Sequence, residues 1–165
     1  MVSKKMQDAL NKQLNAELFS SYLYLSMAAY FQSESLNGFA AWMTLQSTEE
    51  YAHGMKFYDF INDVGAKVEL DTIDKPKNKW TSSKQVFEEA LDHEKKITKM
   101  INELADLAVT EKDHATNIFL NWFVTEQVEE VATVEDIVDQ FELIGDNKNG
   151  LFMLDRELGS RQPAA

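Results

Sequence analysis

Residues 49–53 read EEYAH and residues 126–130 read EQVEE. In the first stretch His53 follows Glu50 by one helical turn; in the second Glu130 follows Gln127 by one turn. Glu17 stands 33 residues before Glu50, and Glu94 stands 33 before Gln127. One offset of 77 maps 17 to 94, 50 to 127 and 53 to 130, and it also carries Glu49 to Glu126. Carboxylates and an imidazole repeated in this way suggest a metal site built from two similar halves. Hard cations take oxygen ligands, and imidazole with carboxylate suits iron.

The spacing predicts two helical hairpins. The midpoint between Glu17 and Glu50 falls in the break around Ser33 and Glu34, and that between Glu94 and Gln127 falls around Thr110 and Glu111. Each arm then rises roughly 25 Å and returns by as much, so both partners arrive at one level. Pairing the hairpins brings all four positions into one layer.

The rest of the chain reads as long helices. Two prolines and six glycines in 165 residues disfavour many short strands. Apolar residues recur at 4-3 spacing over about Lys4 to Gln32, Asn37 to Val64, Ser83 to Val109 and Asp113 to Ile144. Ser35 is a candidate N-cap for the second helix, and Ser82 with Gln85 a capping box for the third. Gly65 and Gly145 sit where C-terminal glycines belong. Ala66 to Trp80 lacks helical periodicity and contains Pro76. Extended, it reaches about 45 Å, the length of a 30-residue helix, and so permits the second and third helices to run parallel. A shorter fifth helix over about 146–158 carries Leu151, Leu154 and Leu158 on one stripe. The expected architecture is all-α: a four-helix bundle over about 4–144 with one long crossover, then the fifth helix, in a single domain spanning 1–165.

Glu17, Glu50, His53, Glu94, Gln127 and Glu130 all fall on apolar stripes. Burying four carboxylates is prohibitive unless cations or protons neutralise them. Two readings stay open: a two-metal site, or a buried hydrogen-bond network that acts as a specificity device in a non-catalytic bundle. His93 and His114 lie off the stripes and are expected in solvent. Trp122, five residues before Gln127, is read as ordinary packing.

Net charge is −12, which argues against sequence-independent nucleic-acid binding and fits attraction of cations. No cysteine is present, so thiolate metal sites and disulfides are excluded. No apolar stretch approaches the length of a membrane span, and the N-terminal segment lacks the apolar run of a signal peptide. A cytoplasmic location is the expectation.

On these motifs, Glu17, EEYAH, Glu94 in DHE and EQVEE, the chain resembles the ferritin family over essentially all its length, and among them the non-haem ferritins of bacteria and archaea. The resemblance implies a ferroxidase, with Glu17, Glu50 and His53 on one iron. Glu50 would bridge to a second iron held by Glu94 and Glu130. It implies a third iron at Glu49, Glu126, Glu129 and Glu130, and a Gln127 that hydrogen-bonds water or an oxygen species. Tyr24 resembles the tyrosine beside ferritin centres, a candidate electron donor. Bacterioferritins have a haem-ligating Met directly after the bridging Glu; Tyr51 stands there, so no haem is expected. The implied function is iron storage and detoxification. Fe(II) would be oxidised by dioxygen or hydrogen peroxide, and ferric mineral laid down inside a homo-oligomeric shell of 24 subunits. The fifth helix would sit at its four-fold axes, its leucines buried against neighbouring copies. A di-iron oxidase acting on an organic substrate without a cage is the rival.

Overall fold

The computed structural model describes residues 2–164; residues 1 and 165, the two ends of the expected domain, lie outside the described residues. The elements are α1 (Lys4–Ser33), α2 (Asn37–Asp63), α3 (Ser83–Thr110), α4 (His114–Ile144) and α5 (Lys148–Leu158), with no strand among the described residues. α1 packs along α2 and α3 along α4 as two hairpins. The helix limits agree with the expected ones to within two residues, which is the scatter of helix ends.

The crossover between α2 and α3 climbs along α1, and its hydrogen bonds record the climb. Gln7 of α1 accepts the Lys67 amide at 3.0 Å, and Asn11 accepts the Glu69 amide at 2.7 Å while donating to the Lys67 carbonyl at 2.9 Å. Further along, Asn15 donates to the Thr72 carbonyl at 3.1 Å and Ser26 to the Lys77 carbonyl at 2.6 Å. Trp80 then packs on Tyr30, with ring centroids 5.5 Å apart. The segment therefore starts beside the first turns of α1 and ends beside its last. α3 begins at the end of the bundle where α2 began, and the two run parallel.

Two apolar clusters divide the interior. One holds Leu10, Leu14, Phe57, Ile61, Ile97, Ile101, Leu120 and Phe123. The other holds Tyr24, Met27, Phe31, Phe39, Met43, Ala90, Val134 and Phe141. Every helix of the bundle passes from one cluster to the other through a polar residue: Glu17 in α1, Glu50 and His53 in α2, Glu94 in α3, Gln127 and Glu130 in α4. The single layer expected from the hairpin spacing is present.

Capping departs from expectation in two places. Ser82 accepts the Gln85 amide at 3.1 Å as expected, but the Gln85 side chain reaches the Thr81 amide at 2.8 Å, so the box is not reciprocal. Ser35 does not cap α2. It adopts φ 59° in the turn that closes α1, and Leu36 holds the N-cap position without a side-chain bond. The acceptor comes from far away in sequence: Asp155 Oδ1 of α5 accepts the Phe39 amide at 2.9 Å. Gly65 and Gly145 do end α2 and α4, at φ 73° and 53°, where a side chain would be strained.

α5 corrects a second expectation. Leu154 and Leu158 are buried in the chain's own core, and Leu151 packs against the same cluster. These leucines are satisfied within the subunit. The close fit depends on Gly38, where an added Cβ would lie 1.7 Å from the Asp155 carbonyl oxygen, and on Gly159, whose Cβ would meet Gly38 Cα at 2.9 Å. The apolar side chains that α5 leaves outside are Phe152 and Met153, 60% and 70% exposed.

Candidate metal centre

The four helices deliver their polar residues to the layer at turns one apart, so each carboxylate meets neighbours from other helices. Glu17 is buried, and only one of its oxygens is satisfied: Oε1 accepts from Gln13 Nε2 at 2.8 Å, while Oε2 is buried without a partner. Burial, then the nearby Glu50 charge, pushes its carboxyl up to about 8. Glu50 lies with one oxygen 3.3 Å from His53 Nδ1 and the other accepting from Gln46 Nε2 at 3.1 Å. Burial and the charges of Glu94 and Glu130 hold it well above the usual carboxylate range.

Glu94 accepts from the Tyr24 hydroxyl and from Gln127 Nε2, the latter at 3.2 Å. Glu130 accepts from Gln46 Nε2 at 2.7 Å, and burial with the Glu94 charge raises it to about 7. Glu94 is raised as well, chiefly by burial. A layer in which four carboxyls all resist ionisation is starved of positive charge. It meets the donor chemistry of a divalent cation: oxygen ligands, one imidazole, and a carboxylate oxygen with nothing to bind.

Three sets of possible ligand atoms converge, each within 4.8 Å: Glu17, Glu50 and His53; Glu50, Glu94 and Glu130; and His53, Glu126 and Glu130. The first two share Glu50. Such sharing would suit two cation positions joined by one carboxylate, and the residues are those picked out by the 33-residue and one-turn spacings, Gln127 excepted. In the third set Glu126 joins Glu130, as expected, but beside His53. Glu49 and Glu129 belong to none of the three sets. Glu129 is exposed, and Glu49 forms an ion pair with Arg161.

Gln127 donates to Glu94 and to Thr98 Oγ1, at 3.1 Å to the latter, so here its amide positions a carboxylate. Tyr24 is buried against the layer, and burial keeps its hydroxyl protonated well above the usual tyrosine range. His53 is flanked by Trp122 and Phe123, at ring centroid distances of 5.3 and 6.0 Å and near-perpendicular planes. Trp122 is part of that packing, with Lys56 Nζ 4.3 Å from its ring.

His114 is exposed as expected, but His93 is not in solvent. It is half-buried, with Nε2 2.7 Å from Ser20 Oγ and its ring against Phe19 and Tyr24. Burial lowers it to about 4. Three further residues escaped the sequence reading. Gln46 stood on the α2 stripe, one turn before Glu50, and its polarity there was the available signal. Gln13 lies four residues before Glu17 on the neighbouring face, where a partner for a buried carboxylate can be sought. Arg161 carries no local signal.

A family model of the ferritin-like domain matches residues 7–144. A bacterial non-heme ferritin of Bacteroides fragilis (strain 638R) is 45% identical over 161 residues, covering 98% of this chain and all of that one. One of Staphylococcus epidermidis is 44% identical over 98% of this chain and 97% of its own. The crystal structure of an open pore ferritin from the archaeon Archaeoglobus fulgidus superposes with a TM-score of 0.97 at 49% identity, over 98% of each chain. A humanized archaeal ferritin gives 0.98 at 48% identity over the whole of both. Carrying this layer on this bundle, and matched end to end by such relatives, the chain belongs to the ferritin family, among the non-haem ferritins of bacterial and archaeal type.

Proposed function

We propose that the protein stores iron and detoxifies it as a ferroxidase, with residues 1–165 as one functional unit. Fe(II) is the substrate. Glu17, Glu50 and His53 take one ion, Glu50, Glu94 and Glu130 the other, and the shared Glu50 holds the two together. Each Fe(II) gives up one electron. Together they reduce dioxygen, with two protons, to hydrogen peroxide, or hydrogen peroxide, with two protons, to two waters. The protein binds both reductants before the oxidant arrives, which turns an encounter of three bodies into one of two. No haem takes part. A third ion would use Glu126 and Glu130 with Glu49 and Glu129, on the way to mineral deposition. Gln127 steadies Glu94 and faces the oxygen species.

The observation that carries this reading is the pair of three-ligand sets sharing Glu50 inside a layer whose Glu17 Oε2 has no partner. A hydrogen-bond network kept for specificity rarely leaves such an atom. Full-length similarity to an open pore ferritin supports assembly into a hollow shell, which we place in the cytoplasm. Among the described residues no helix is long and apolar enough to cross a membrane. The test is Fe(II) loaded without oxygen, followed by air and ultraviolet absorbance. Glu50→Ala with His53→Ala should reduce the initial rate to that of buffer while circular dichroism keeps its helical signal. An undiminished rate would remove these residues from the reaction.

A further inference from the structure

Arg161 brings a positive charge to the edge of the metal centre from outside the bundle. Its Nη2 lies 2.5 Å from Glu49 Oε2, and its Nη1 donates to Gln46 Oε1 at 2.9 Å. The guanidinium also lies 4.6 Å from the Trp42 ring centroid. The ion pair is largely enclosed, with side chains 23% and 19% exposed, so it is less weakened by solvent than a surface pair. Gln46 passes the contact inward, since its amide nitrogen serves both Glu50 and Glu130. Glu49 is near enough for its charge to bear on Glu130, which lies in the outer set with His53 and Glu126. Glu49 stands outside that set, so a cation there could recruit it only by drawing it away from Arg161.

The arm has somewhere else to go. The tail leaves α5 in a continuing turn, the Arg161 amide bonding to the Leu158 carbonyl at 3.2 Å, which fixes its backbone, while the guanidinium is held by side chains: Glu49, Gln46 and the Trp42 ring. Arg161 itself forms part of the wall of a cleft of about 580 Å³, together with Trp42, Thr133, Asp136, Gln140 and Glu157. Two of these residues are carboxylates able to receive a guanidinium.

Building on the metal-centre reading above, we propose that Arg161 is a tethered counter-cation that holds Glu49 until a third metal ion claims it, and then swings into the adjoining acidic cleft. The arm sets the order of filling: the two inner positions load first, and the outer one loads only by displacing a positive charge.

The test is anaerobic calorimetric titration of the assembled protein with Zn(II), which fills such sites without redox chemistry. Arg161→Gln should tighten the outer position on the order of tenfold, the scale of removing one close opposing charge at a partly buried site. The inner pair, which Arg161 reaches through Gln46, should change by less than the outer position. Arg161→Lys, which keeps the charge, should remain nearer the wild type. In a Glu49→Gln background the Arg161→Gln change should have no effect on the outer position. Unchanged or weaker outer binding in Arg161→Gln, with the inner pair intact, overturns the proposal. Absence of the inner pair in the wild type overturns the metal-centre reading instead, and this inference with it.

Discussion

The Tyr24 hydroxyl of α1 donates to the Glu94 carboxylate of α3 from one helical hairpin to the other, inside the buried layer. Glu94 is also held by Gln127 Nε2, so two donors fix the orientation of one carboxylate of the proposed metal centre. Such supporting partners set ligand geometry, and their loss costs on the order of tenfold in metal affinity. Tyr24→Phe is expected to weaken anaerobic Zn(II) binding at the inner pair by about that factor and to slow Fe(II) oxidation. If Zn(II) affinity is unchanged while oxidation slows, Tyr24 acts through electron donation and the positioning role is lost.

The raised carboxyls give the metal-free protein a definite pH dependence. Glu17 moves from 4.5 to about 8 and Glu130 from 4.5 to about 7, with Glu50 and Glu94 raised as well. In each case the folded chain favours the protonated form. The stabilising contribution is complete below the unfolded value of 4.5 and is lost as pH rises through 7 to 8. Apparent Tm of the metal-free protein should therefore fall over that window, and Glu17→Gln should flatten the fall. A Glu17→Gln slope equal to the wild type would contradict the assignment. Metal binding must also expel these protons. Titration in buffers of different ionisation enthalpy should register more protons released per Zn(II) at about pH 6.5 than at about pH 8.5.

The glycine at position 38 should prove as exacting as any core residue. Its added Cβ would meet backbone atoms of Asp155 at 1.7 and 2.6 Å, and backbone cannot step aside as a flexible side chain can. Gly38→Ala is expected to lift α5 from α2, expose Leu154 and Leu158, and remove the Asp155 cap from Phe39. Loss of that cap alone is worth about 1 kcal/mol. Asp155→Ala is therefore the milder comparison. Hydrogen exchange should show α5 and the first turn of α2 losing protection together in Gly38→Ala. Wild-type protection in both segments would show that the close approach matters less than its geometry indicates.

How far the sequence could be read follows from how far each cause reaches along the chain. The central layer was legible because a hairpin converts equal spacing into equal height, so Glu17 and Glu50, or Glu94 and Gln127, need no knowledge of the partner hairpin. The parallel crossover was legible from its length. The Ser35 cap was misread because a competing local demand, the left-handed turn ending α1, took that residue, and the acceptor came from Asp155, 116 positions away from the amide it holds. His93 was misread because helical periodicity reports which face points to the core but not how a neighbour such as Phe19 closes over its flank. Arg161 lies beyond every periodic segment, and only the docking of α5 brings it to Glu49.

The same docking changes how assembly must be tested. Leu151, Leu154 and Leu158 belong to the subunit's own core or pack against it, so lysines there would damage the bundle and say nothing about a shell. Phe152 and Met153 are the apolar side chains that α5 turns away from its own bundle. Exposed neighbours of this size on a helix docked at both ends are suited to burial against symmetry-related copies, where closed symmetry lets every subunit bury the same face. A shell of 24 copies of 18.9 kDa has a mass of about 450 kDa. Sedimentation at micromolar concentration should give that mass for the wild type and smaller species for Phe152→Lys with Met153→Lys, with helical content and Tm of the dissociated subunit nearly intact. A double variant that still sediments as the wild type would move the contact elsewhere on the surface. A wild type that sediments as monomer or dimer would remove the shell, and mineral storage with it, while leaving the two-metal centre to stand on its own geometry.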